Sequence, residues 1–128
     1  MWLDLRELLL VAAGSVPGAL LRWWAATALG STAAWGSAAS DLLVNLFGSL
    51  LLGILVGAPA CKGGPYLLLG VGFCGSLTTF SSWMLALHRF EQQGKPLDGL
   101  LLLCLSVGLG VAAAGCGLVL GRRTVPRR

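Results

Sequence analysis

The chain has 128 residues, 56% of them hydrophobic and 11% charged, with a formal net charge of +4 and a mean hydropathy of +0.84. A water-soluble domain of this size needs far more charge to cover its surface, so the composition argues against an enzyme that works in water. The modest positive charge is no nucleic-acid signature, because four of the nine basic residues (Arg122, Arg123, Arg127 and Arg128) crowd the C-terminus.

A bilayer-spanning helix takes roughly 20 mostly apolar residues. Four such stretches use nearly the whole chain, so residues 1–128 are expected to form a single membrane domain. The first runs from about Leu8 to Leu29 and contains Gly14-x-x-x-Gly18, a spacing that lets helix backbones approach closely in lipid. Arg22 sits near its end, where it either snorkels to the interface or caps an aqueous vestibule. A cleavable secretory signal is disfavoured, since Arg22-Trp23-Trp24 separates the apolar core from the small-residue stretch Ala26-Thr27-Ala28.

The second stretch, about Leu42 to Val56, carries Asp41, Asn45, Ser49 and Gly53 at intervals of four. These fall on one helix face with a slow drift, and that face is expected to look into protein or water instead of lipid. Interhelical hydrogen bonding is an equally good account of the Asn and Ser. Gly53-x-x-x-Gly57 closes the segment.

The third stretch, about Tyr66 to Leu87, reads Gly70-Val71-Gly72-Phe73-Cys74-Gly75-Ser76-Leu77-Thr78-Thr79-Phe80-Ser81-Ser82-Trp83. Three glycines followed by hydroxyl side chains at mid-membrane depth predict a broken or kinked helix, with the hydroxyls satisfying freed backbone groups. A break at that depth is tolerated only where protein or a cavity surrounds it. It exposes carbonyls that suit a cation and amides that suit an anion. His88, beside Arg89 and Glu91, reads as an interfacial residue and not a ligand.

The fourth stretch, about Leu100 to Leu120, places Ser106 near Gly108 and Gly110 and ends on Gly117-x-x-x-Gly121. A lone serine there is more often packing than function. The four cysteines, Cys61, Cys74, Cys104 and Cys116, have neither disulfide-framework nor zinc spacing. With four spans, Arg6, Lys62 and the C-terminal arginines share one side, against Arg89 and Lys95 on the other. This bias predicts that both termini are cytoplasmic. Four short helices enclose little interior, so a pore would form most naturally with a second subunit.

Asp41-Leu-Leu-Val-Asn45-Leu-Phe-Gly48 and Gly72-Phe-Cys-Gly75-Ser-Leu-Thr78-Thr79-Phe80-Ser81 resemble the helix-2 and helix-3 signatures of the Fluc/CrcB fluoride channels. Gly14 to Arg22 is similar, less specifically, to their helix-1 pattern. The resemblance implies an all-α membrane protein with four transmembrane helices, the third broken, assembled as an antiparallel dimer with two pores in the cell inner membrane. Such channels passively export fluoride that enters as the weak acid HF. The resemblance further implies a structural sodium ion at the dimer centre, held by the backbone carbonyls of Gly75 and Thr78. It implies a fluoride pathway through Asn45, Phe80, Trp83, Ser81, Thr79 and Ser106, with Arg22 and Asp41 at the vestibule.

Three positions depart from the family pattern. Trp83 stands where a second Phe is usual, Asp41 where a Thr is usual, and Ala86 where an acidic residue commonly follows. These departures and the charge bias point toward a heterodimer with a related subunit in place of the usual homodimer, or to a subunit that conducts only with its partner. A small multidrug exporter needs a membrane-embedded carboxylate in its first helix, and none lies between Glu7 and Asp41. An assembly subunit without transport of its own is a third reading. An enzyme is not expected, for the chain shows no nucleophile–base pair, metal cluster or phosphate loop.

Overall fold

The computed structural model describes residues 4–29 and 37–123. Among these, all regular structure is helical: α1 (Leu5–Leu29), α2 (Ser37–Gly57), a wide π-helical segment (Tyr66–Cys74), a single turn α3 (Gly75–Leu77), α4 (Ser81–Gln92) and α5 (Pro96–Arg123). They give four helical stretches long and apolar enough to cross a membrane, the third covering Tyr66–Gln92. The 25 residues of α1 rise roughly 37 Å at 1.5 Å per residue, more than a hydrocarbon core requires. Each span extends beyond its sequence-derived limits because apolarity marks only the lipid-facing core, while flanking residues such as Ser37 and Asp98 still join the helix. Arg127 and Arg128, which contribute to the charge bias, lie outside the described residues.

Glycine decides which helices pair. α2 lies on α5 with Gly53 and Gly57 facing Gly117 and Gly121. A Cβ on Gly53 would run into the Ala114 carbonyl, and one on Gly117 into the Leu50 carbonyl. The second tight pair is α1 against the wide segment. Here Gly14 abuts the Leu68 carbonyl, Gly18 abuts the Phe73 carbonyl, and a Cβ on Gly72 would stand 2.6 Å from the Val11 oxygen. All the GxxxG spacings therefore serve close packing, as expected where lipid supplies no hydrophobic drive between helices. Ser15 strengthens the second contact: its hydroxyl reaches the Val11 carbonyl at 2.8 Å and the Gly72 carbonyl at 3.4 Å.

The outer faces are apolar and open. Leu9 and Val16 are each 61% exposed and Leu20 is 59% exposed, which is the surface a helix presents to acyl chains. A short turn joins α4 to α5. Gly94 takes φ +70°, while the Lys95 and Gly94 amides donate to the Phe90 and Glu91 carbonyls at 2.9 and 3.0 Å, a glycine-terminated helix end. Pro96 then begins α5, where its missing N–H costs nothing.

Candidate functional site: a polar groove at the interrupted third span

The third span is not a regular helix. Tyr66–Cys74 winds in the wide i→i+5 form, and the Gly75 amide is shared between the Gly70 and Gly72 carbonyls. After Leu77 the backbone turns extended at Thr78 (φ −75°, ψ 148°), and helix resumes at Ser81. Wide turns of this kind gather at functional sites.

Asn45 of α2 bridges the interruption. Its Nδ2 donates to the Thr79 carbonyl at 2.9 Å, and the Thr79 amide donates to its Oδ1 at 2.7 Å. A side-chain amide thus replaces the helical partners that Thr79 has lost, although Thr79 is only 8% exposed. Gly48, one turn along α2, lets the helix approach, since a Cβ there would lie 2.5 Å from Thr78 Cγ2. Thr78 Oγ1 donates to the Cys74 carbonyl at 2.9 Å, and Ser76 Oγ donates to the Phe73 carbonyl at 3.1 Å. Thr79 Oγ1 donates to Ser82 Oγ at 3.3 Å, shares a 3.4 Å contact with Ser81 Oγ, and accepts the Ser82 amide at 3.4 Å.

Two carbonyls emerge from this network without their helical donors among the described residues. In a continuous helix, Gly75 O and Thr78 O would accept from the amides of Thr79 and Ser82. Those amides go instead to Asn45 Oδ1 and Thr79 Oγ1. Gly75 also faces open space, with nothing within 4 Å of a would-be Cβ. Free carbonyls on an open face fit a hard cation, which takes oxygen ligands.

Asn45, Thr78, Thr79, Phe80, Trp83 and Ser106 line one groove of about 550 Å³ with Gly48, Ser49, Gly75, Val107, Gly110 and Val111. Phe80 is 67% exposed. Its ring meets that of Trp83 edge-on, with centroids 6.0 Å apart and planes at 75°. Trp83 is packed against Ala38, Ala86 and Leu102. The Trp83 indole nitrogen and the Ser106 hydroxyl are buried with no hydrogen-bond partner among the described residues.

Other residues singled out in the sequence stand apart from the groove. Ser81 is exposed at the start of α4 and reaches the network only through Thr79. Asp41 is buried on the first turns of α2 and Arg22 is half-buried on α1; among the described residues no ion pair joins them, and neither lines the groove. The predicted stripe on α2 divides, with Asn45 turned to the interruption and Gly53 to α5. His88 is exposed, 3.0 Å from Gln92 and 3.7 Å from Glu91, and all four cysteines are free. The sequence reading missed Ser82 and Gly110; Ser82 belongs to the hydroxyl run, and spacing gives no warning that its amide bonds a side chain.

The fold and this groove define a four-span membrane protein that gathers several of its polar groups onto one face around an interrupted helix. Residues 9–118 match the family described as CrcB-like protein, Camphor Resistance (CrcB). The chain is 52% identical over 124 residues to the fluoride-specific ion channel FluC 2 of Synechococcus sp. (strain CC9605), covering 97% of this chain and 87% of that one. Synechococcus sp. (strain CC9902) has two relatives: its fluoride-specific ion channel FluC 2 is 49% identical (94% and 83% covered), and its FluC 1 is 38% identical (90% and 93% covered). The chain belongs to the CrcB family.

Proposed function

We propose that the chain is a subunit of a fluoride-specific channel that passively exports fluoride through the cell inner membrane; it transports and does not catalyse. The observation that carries the reading is the groove itself, where Asn45, Thr79, Trp83 and Ser106 place amide, hydroxyl and indole groups at mid-span. Relatives sharing about half its residues are named for this activity. Fluoride is small and strongly hydrated, so a pore must replace its water with donors. An amide nitrogen carries two N–H groups; one of Asn45's holds Thr79, and the other is left for an ion. The edge of an aromatic ring is positive, so Phe80, exposed in the groove, can meet an anion without trapping it. Several weak contacts in series suit conduction.

The fit of Gly75 and Thr78 extends the proposal to a structural sodium ion shared by two subunits, in which it would fix the interrupted backbones against each other. Their carbonyls lack helical donors and Gly75 is open. The partner is a second copy or a related subunit. A related subunit is favoured by the charge bias, which holds this chain in one orientation with both termini cytoplasmic. It is also favoured by the presence of FluC 1 and FluC 2 together in one Synechococcus strain.

Fluoride-loaded liposomes containing the purified chain test the reading. Fluoride should leave far faster than chloride and without a proton gradient; equal fluxes, or flux that needs protons, would refute it. Tags on both termini test the assembly. One orientation, with flux that rises when the related subunit is added, supports the heterodimer. Mixed orientation with robust flux from this chain alone would establish a homodimer.

A further inference from the structure

Basic residues gather at one end of the helices, and a second cavity opens among them. α1 and the third span run side by side in the same direction, with Gly14 at Leu68 and Gly18 at Phe73; α2 and α5 do the same, with Gly53 at Ala114 and Gly57 at Leu118. The short link from Gly57 to Tyr66 joins the two pairs at one end. That end holds Arg6, Lys62, Arg122 and Arg123, and its acids among the described residues are Asp4 and Glu7, both at the start of α1. No ion pair among the described residues engages any of the four basic side chains. The cavity, about 270 Å³, lies between the finish of α2 and the start of the third span, with apolar walls from Leu55, Val56, Ala58 and Tyr66 and with Cys61 and Lys62 on its loop side. Val56 is 57% exposed, which sets the mouth on the apolar outer face. The Tyr66 ring leans on Gly70, where a Cβ would stand 2.9 Å from its Cε2. Gly57 brings the arginines near, since a Cβ there would lie 3.1 Å from the Arg122 nitrogen.

We propose that this cavity binds one anionic phospholipid from the leaflet on the side of the termini, with the Lys62 ammonium on the headgroup phosphate and the first part of an acyl chain among Leu55, Val56, Ala58 and Tyr66. The inference stands on the membrane-spanning fold and not on the ion that the channel carries. The occupant follows from charge and shape together. A basic rim above an apolar hollow is complementary to a molecule that is anionic at one end and apolar below it, and basic pockets between membrane helices recognise such headgroups. A free phosphate would leave the apolar walls unused, and a zwitterionic lipid brings its own cation against Lys62, Arg122 and Arg123. The volume is too small for a whole lipid, so most of both chains stays in the bilayer. Tyr66 suits the level of the headgroups, where aromatic rings with a polar tip collect. The bound lipid ties the finish of α2 to the start of the third span at the end where the basic residues meet the anionic leaflet, and so holds the chain in one orientation.

Cys61, half-buried in the cavity wall, reports occupancy. The full-length chain in neutral maltoside micelles is titrated with dioleoylphosphatidylglycerol, with dioleoylphosphatidylcholine, and with inorganic phosphate. The rate at which N-ethylmaleimide labels Cys61 is followed by peptide mass spectrometry, which separates it from Cys74, Cys104 and Cys116. The expected result is saturable protection by the phosphatidylglycerol alone. Lys62 is exposed, so the fold does not depend on it. Lys62→Ala should raise the phosphatidylglycerol midpoint about fivefold, the effect of one basic residue at an anionic surface, and Lys62→Arg should restore it. Ala58→Phe, which fills the hollow and keeps every charge, should abolish the protection with an unchanged elution volume. Equal protection by phosphatidylcholine, or by phosphate alone, overturns the proposal. So does protection that grows with protein concentration in the absence of lipid, which would put a second copy in the cavity. A midpoint that Lys62→Ala leaves unmoved overturns it as well. Fluoride efflux from liposomes, measured separately, leaves the channel reading to stand or fall on its own.

Discussion

Replacing Asn45 by Leu removes two hydrogen bonds at once while keeping the same branched heavy-atom skeleton. The Thr79 amide and carbonyl, at 2.7 and 2.9 Å from the Asn45 side chain, are then left in a residue 8% exposed. The burial of Thr79 leaves them little access to water. Each unsatisfied buried group costs about 1–3 kcal/mol, so the loss is about 2–6 kcal/mol. That is large enough to let the Thr78–Phe80 segment leave its position against α2. Asn45→Asp separates the two bonds: its carboxylate still accepts the Thr79 amide, but no longer donates to the carbonyl and adds negative charge to the groove. We expect Asn45→Leu to lower the apparent melting temperature in detergent by at least ~5 °C and to abolish fluoride flux. Asn45→Asp should melt between Asn45→Leu and the wild type yet pass as little fluoride as Asn45→Leu. If Asn45→Leu melts and conducts like the wild type, the bridge is not what holds the interruption.

Gly53→Val should break the α2–α5 contact, because its Cβ meets the Ala114 carbonyl; the variant is expected to lose its monodisperse gel-filtration peak. Gly115→Val, with open space around its Cβ, should keep that peak. Phe80→Ile should cut fluoride flux at least tenfold, measured in liposomes, with an unchanged elution volume, because an aliphatic side chain has no positive edge. Asp41→Thr should raise flux, because a carboxylate one turn before Asn45 on α2 repels an incoming anion; lower flux with a lower melting temperature would show that it is needed for the fold.

The four spans and the glycine contacts were legible because both follow from composition and short spacing. Lipid demands long apolar runs, and the intervals Gly14–Gly18, Gly53–Gly57 and Gly117–Gly121 show which faces come close. The sequence also marked the polar residues of the third span, since hydroxyls after glycines at that depth need a reason. It did not show the π-helical winding of Tyr66–Cys74. That form depends on how α1 presses on Gly72 and how the Gly75 amide divides between two carbonyls, and both are tertiary facts. Interhelical hydrogen bonding is one of the two sequence accounts of Asn45, and its side chain does bond Thr79, but spacing does not show which backbone groups it holds. Covalent distance along α2 says nothing about which atom across the gap lies 2.7 Å away.

The interruption sorts the polar groups around it into two kinds. The hydroxyls of Thr78 and Ser76 and most of the Asn45 amide are turned back onto the chain's own backbone, and they keep the extended residues in place. The Gly75 and Thr78 carbonyls, the second Asn45 amide proton, the Trp83 indole and the Ser106 hydroxyl are not. All of these residues line the same groove, with acceptors on the third span and donors contributed by α2, α4 and α5. Non-helical backbone at membrane depth persists only when protein or a water-filled cavity covers it, and one chain leaves Gly75 uncovered. In the proposed dimer the groove would be one wall of a site whose other wall comes from a second subunit. Its acceptors would meet that subunit across a cation, while its donors stay free for an anion moving past. In the proposed channel, that division would let one broken helix serve both ions without binding them together.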